Sequence, residues 1–531
     1  MIGQRLLIVV AFIWHSVAVI TARAETTSDT NPDPYVPQSL RALANPSNKY
    51  QPSDDCKSCH RKLSEEYGKI GVNERVCMTE AKVWESADLH RGASDALEST
   101  RGQQMGALLN VKIKEPKAGC VQCHKPLFSA VDESGKPLKQ LANEGVTCEV
   151  CHGPPSNWLN PHKLHDDNQK PTWPDPHLDK KLLDKKTELG WIDVHSPVTR
   201  AELCVSCHVG SAQHGRVITH DMYAAGHPPL AGFDVELFAD LMPRHWRYDN
   251  EKPKNNGGDA TNRTKNLLVG AVVAMRMAVE LVAADAAARP KANRWPELAR
   301  LDCFACHHEL DTPETHQEQA EAHGRPPLIV GCVPLIRIAT ELADPSRGDE
   351  ELDAQLAGLR AVFNSQPFGD PGEIVARGGK VIAWCRKIED AIIDRIDRLP
   401  KKNLSSANYR QILKRIANQA ASNSGDYDSA RQLLGAWVVI YGELLKTDKD
   451  VLSDADQQKI DSLLEKLNQA WPDLAESHPF ILTCGDLDLK NPKNGGYAVF
   501  LKQQFANRES FEISSFRETM TELALIVAPQ P

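Results

Sequence analysis

From residue 349 onward, apolar side chains return every third or fourth position over 349–363, 371–399, 405–421, 426–445 and 453–471, and again within 494–526. That period lays them along one face of a helix. Pro400 closes the second stretch and Pro472 the fifth, and Ser405 is placed to cap the third. The pattern predicts a helical domain over 332–531. It holds no metal-spaced cluster, no Gly-rich phosphate loop and no nucleophile constellation, so it reads as a docking or structural cap. Earlier in the chain, helical spacing includes 74–97 and 264–288, and the Lys-rich run 179–186 reads as a solvated helix face. The rest of 53–312 consists of long irregular connections with few strand patterns. The fold class expected is mainly α.

Two continuous apolar runs could mean a membrane. Arg5 precedes the first, 6–20, and Ala22-Arg23-Ala24 has the small-x-small form of a signal-peptidase site. The run is short of the ~20 residues that span a bilayer. Residues 1–24 are therefore expected to be a signal peptide cleaved after Ala24, leaving a periplasmic or otherwise exported protein. The second run, 267–288, is interrupted by Arg276, Glu280 and Asp285 and is expected to end at Pro290. Arg276 and Glu280 lie four apart on one helical face, as in a buried or amphipathic helix of a soluble fold. No membrane span is expected after cleavage. Residues 25–52 read as a polar leader and 313–331, rich in Pro, His and Glu, as a linker.

The 531 residues carry 62 basic and 71 acidic side chains, a net charge of −9. That sign argues against nucleic acid and favours a basic protein partner. Cysteine and histidine change the picture more. Residues 309–531 hold only three of the 14 Cys and three of the 19 His. Before them, C-x-x-C-H occurs five times: Cys56–Cys59–His60, Cys120–Cys123–His124, Cys148–Cys151–His152, Cys204–Cys207–His208 and Cys303–Cys306–His307. This is the attachment signature of c-type haem. Two intervening residues let one turn of chain offer both thiols to the two vinyl groups on one porphyrin edge. The following His then ligates the iron from below. Zinc would pair two half-motifs and needs no His after every second Cys. A thioredoxin-like role needs a βαβ context, and there is none. Five haem c groups are the expected cofactors, so 53–312 is read as a pentahaem region.

Ten Cys are used in this way. Cys77, Cys332, Cys385 and Cys484 remain, open to three disulfide pairings, with a buried free thiol as the alternative for Cys77. The second and third motifs have the shortest separation, and their sites are expected to be neighbours. The sixth ligand of each iron is the functional question. A second His or a Met closes the iron for electron transfer; an open position admits small-molecule chemistry.

Several strings resemble the cytochrome c-554-type multihaem family of exported bacterial cytochromes. They are Trp84-Glu-Ser-Ala-Asp-Leu-His90, Gly145-Val-Thr-Cys148-Glu-Val-Cys151-His152-Gly153-Pro154, Trp158-Leu-Asn-Pro-His162, and His220-Asp-Met-Tyr-Ala-Ala-Gly226-His227-Pro228, the last resembling pentahaem relatives. Met242-Pro243-Arg244-His245-Trp246 and the stretch around Cys303 add to the likeness, which covers residues 50–312. The resemblance implies distal-ligand roles for His90, His162, His220 and His227, with His245 as the fifth candidate. His165, His195 and His214 are fallback ligands. His308 is expected to point away from the iron of its neighbour His307, and His177 to lie in an exposed loop. Met222 and Met242 are further axial candidates, while Met275 and Met277 are expected to pack in a helical core. The function expected is periplasmic electron transfer between redox partner proteins. The alternative is an oxidoreductase acting on hydroxylamine or a nitrogen or sulfur oxyanion at one open iron. The absence of a C-x-x-C-K motif weighs against that alternative.

Overall fold

Ser99, Ser196, Asp234, Asp370, Ser405, Asp426 and Ser453 each accept a backbone N–H at the start of a helix. Short polar side chains thus fix where these helices begin. The computed structural model describes residues 49–61, 79–127, 144–163, 180–243, 245, 263–307, 326–471 and 506–528, apart from 52, 116–117, 293–294, 366, 424–425 and 508–509. All of them fall in one compact unit, 37–531. The expected signal peptide, most of the leader and most of the linker lie outside the described residues, as do Cys77, Cys484, His165, His177 and His308.

The helices that matter here are α1 (Glu80–Ala87), α2 (Thr100–Leu108), α3 (Pro197–His208), α4 (Val235–Leu241), α5 (Arg263–Ala292), α6 (Val333–Ala343), α7 (Gly348–Asn364), α8 (Pro371–Asp397), α9 (Ser406–Asn423), α10 (Tyr427–Thr447), α11 (Asp454–Ala470) and α12 (Ile513–Ile526). Among the described residues no strand forms, and the two isolated bridges are Ser211↔Arg216 and Leu301↔Leu328. The fold is mainly α.

α5 is apolar nearly all round, as a helix enclosed by others should be. Leu267, Leu268, Val272, Val273, Met275 and Met277 are almost wholly buried. By length and composition it could cross a bilayer, but 83% of its apolar window is buried inside the protein. It packs along α8 and against α3, α4, α6 and α10, while α9 packs on α10 and α12. One hydrophobic core runs through these helices from Ala201 to Val527. Each fully buried aliphatic side chain in it contributes about 1.5–3 kcal/mol over its exposed state.

Three local expectations change. Of the helix read over 74–97, residues 79–97 are described: there α1 is followed by short helical turns at Arg91–Ser94 and Asp95–Glu98, because Asp88 accepts the His90 N–H at 2.9 Å and interrupts the ladder. α5 runs past Pro290 to Ala292; a proline forfeits one ladder bond, which a last turn tolerates. α2, α3, α4 and α6 are elements that the apolar spacing did not bring out. Met275 and Met277 lie in the core, as expected.

Candidate functional site

Each C-x-x-C-H closes on itself locally. The His60 N–H donates to Cys56 O at 3.1 Å, His124 N–H to Cys120 O at 3.1 Å, and His307 N–H to Cys303 O at 2.8 Å. The third motif is the helix Cys148–His152, and the fourth ends α3. One helical turn brings residues three apart to one face, so both thiols of a motif lie together and the imidazole follows beneath them.

The structure sets a second histidine opposite four of the five motif histidines. Ring centres are 6.2 Å apart for His60 and His162, 6.3 Å for His90 and His208, 6.4 Å for His124 and His227, and 6.2 Å for His220 and His307. A ligating nitrogen sits about 2 Å from its metal and roughly 1 Å from its ring centre, so two imidazoles across one ion are spaced about 6 Å. The residues therefore fit an iron between each pair. His245, the fifth candidate, acts electrostatically on His152, and also on Glu80 and Asp88. His195 is exposed. His214 bonds Ser211 Oγ at 3.0 Å, and burial lowers its pKa to about 4.

Iron ligation needs neutral imidazoles with a free Nε2. Burial lowers the pKa of His152 and of His208 to about 3, and it lowers that of His227. At His90 burial pulls the same way, but the hydrogen bond and charge of Asp88 outweigh it and the net shift is upward. The opposite ring nitrogen is held in four cases. His60 Nδ1 meets Glu80 Oε2 at 2.8 Å, and His90 Nδ1 meets Asp88 Oδ1 at 3.0 Å. His124 Nδ1 lies 2.8 Å from Ala93 O, and His227 Nδ1 lies 2.7 Å from Pro228 O. An acceptor on Nδ1 fixes the tautomer and leaves Nε2 for the metal.

The motif thiols lie close to one another. Cys56 is pushed up by its hydrogen bond to Cys148 and by burial; burial raises Cys151, and takes Cys204 up to about 11. Cys207 is the exception, lowered to about 5 by its bond to Cys123 and by facing Arg216. Among the described residues no group of three His, Cys, Asp or Glu could hold a metal by itself. Cys332 and Cys385 are buried free thiols.

The same thiol contacts order the motifs in space. Cys56 bonds Cys148, Cys151 feels Cys204, and Cys123 bonds Cys207. The fifth motif stands beside the second, because His220 and His227 flank one short helix, His220–Ala224, and face His307 and His124 respectively. These contacts link the first motif to the third, the third to the fourth, the fourth to the second and the second to the fifth. Leu127, just past the second motif, also packs on Val150 inside the third, the neighbour that the short separation suggested; the contact with the fourth was not suggested by chain length.

Several residues that build the site carried no readable signal. Arg216 donates to Gln122 O at 3.1 Å and to Ser206 Oγ, joining the middles of the second and fourth motifs. Glu297 Oε1 accepts the His220 N–H at 2.8 Å, and Arg300 donates to Ile218 O at 3.0 Å and to Asp285 at 2.8 Å. Trp191 packs 5.2 Å from His152 and 6.4 Å from His162. The glycines of the third-motif string do have a legible role. A Cβ on Gly145 would meet His90 O at 2.4 Å, and one on Gly153, at φ +85°, would meet Gly190 O at 2.3 Å.

Compared with known families, residues 55–153, the span of the first three motifs, match the family described as cytochrome c554 and c-prime. No curated protein and no solved structure matches the chain. Over that span the chain is similar to a family of haem-c electron-transfer proteins.

Proposed function

We propose that this chain is an exported electron carrier with five haem c groups, each iron held between two histidines. The observation that carries the reading is the set of four imidazole pairs at 6.2–6.4 Å, each pair containing one motif histidine. Bound haem c supplies a one-electron iron couple at each site. The chain's own residues do the rest. The ten motif cysteines would tether the haems, and His60, His124, His152, His208 and His307 would each supply one imidazole to an iron. His162, His227, His245, His90 and His220, in the same order, would supply the second. Glu80, Asp88, Ala93 and Pro228 orient four of these rings. Closure of an iron on both faces leaves no position for a substrate, which favours a carrier over the oxidoreductase reading. The net negative charge suits basic donor and acceptor proteins.

The test is the mass of the purified exported protein together with the spin state of its ferric form. A chain beginning at residue 25, carrying five haems that are all low-spin, is the expected result. Fewer haems, or a high-spin iron that binds nitric oxide, would overturn it.

A further inference from the structure

Helix α1 is bracketed by two carboxylates, and each is bonded to a different ligand histidine. Glu80, its first residue, meets His60 Nδ1 at 2.8 Å. Asp88, which follows its last turn, meets His90 Nδ1 at 3.0 Å. The side chains are 20% and 5% exposed, so water screens them little. The backbone at each end of α1 is tied down as well. The Ala81 N–H donates to His60 O at 2.9 Å, and Asp88 Oδ1 also takes the His90 backbone N–H at 2.9 Å. The indole N–H of Trp84 donates to Val146 O at 2.9 Å and fixes the helix between them. At the second motif the contrast is complete. His124 and His227 both face neutral carbonyls, of Ala93 and Pro228.

A carboxylate draws more proton density from an Nδ1–H than a carbonyl does. It makes the ring a stronger donor at Nε2 and adds a fixed negative charge near the metal. Both effects favour the ferric state over the ferrous one.

We propose that Glu80 and Asp88 are positioning residues that hold the first and fourth sites at lower potential than the second. Transfer between the fourth site and the second, which touch through Cys207 and Cys123, then runs toward the second. This rests on the paired histidines being axial ligands.

The experiment is a redox titration of the haem-loaded protein and its Glu80→Gln, Asp88→Asn and Glu85→Gln variants, with haem count measured by mass. Glu85 lies on the same helix but pairs with Arg61 and Lys57, so it is the control. Glu80→Gln and Asp88→Asn should each move one midpoint upward with five haems retained, and Glu85→Gln should move none. Unchanged midpoints, or the same rise in the control, would overturn the proposal. Should the variants fold poorly, proton NMR of the unaltered protein decides. On stepwise reduction the signals of the second site must lose paramagnetism before those of the first and fourth, and the opposite order overturns the idea. A haem count below five in the unaltered protein would count against the carrier reading instead.

Discussion

At the scale of single residues, the site is held by contacts that leave no room for change. Gly145 passes over the turn of His90, whose carbonyl accepts the Val146 N–H at 2.9 Å. In Gly145→Ala the new carbon must push His90 O away, and the neighbour that yields is backbone. Overpacking of this kind costs about 1–3 kcal/mol. The expected outcome is a lower thermal midpoint and loss of one low-spin signal as His90 withdraws from His208. Arg216 is 5% exposed and bridges two motifs. Arg216→Leu should destabilise the protein by roughly 1.5–3 kcal/mol, the range for hydrogen bonds to a charged group, measured by denaturant unfolding. Of these two residues, Gly145 lies in a string whose pattern could be read. Arg216 could not be found that way, because a lone arginine has no spacing.

At the scale of elements, α3, α5 and α8 meet around one buried guanidinium. Arg276, with no exposed surface, lies 2.7 Å from Glu202 on α3, 3.2 Å from Glu280 on α5 and 2.7 Å from Glu389 on α8. A second cation, Arg386, reaches Glu280 at 3.8 Å, yet burial lifts Glu389 from 4.5 to about 7 against the pull of both arginines. The sign follows from the direction. A folded value above the unfolded one favours folding below pH 4.5, and that contribution is lost as pH rises from 4.5 through about 7. Glu389→Gln should flatten the fall in unfolding free energy across that window, measured by urea unfolding at several pH values. Removal of the cation is harsher, since it strands buried carboxylates. Arg276→Met should cost about 3–5 kcal/mol, read from the denaturant midpoint. The Arg276–Glu280 spacing was visible along the chain; Glu202 and Glu389 are 74 and 113 residues away from Arg276 and were not.

At the scale of the molecule, apolar burial is unevenly spread. The main core runs through helices α3 to α12. Around the first three motifs the clusters among the described residues are small: Leu127 with Val150, and Leu97 with Ile113 and Val121. So little burial leaves the first part dependent on covalent haem for its order, whereas the later helices hold themselves. Protein produced without haem attachment should therefore be cut within 49–163 by limited proteolysis and retain a resistant fragment over 263–471, identified by mass. Equal resistance of both parts would contradict this.

The chain by itself determined the five tethering motifs, the mainly helical class and most helix starts, because these depend on residues within one or two turns of each other. The strings around His90, His162, His220 and His227 marked those histidines as ligand candidates, again from local neighbours. Only the tertiary structure decided which histidine faces which. It also set the contact between the second and fourth motifs, and the placement of Glu80 and Arg216 behind the site. Those contacts join residues 20 to 118 positions apart, and their distances follow from how the helices pack and not from any period along the chain.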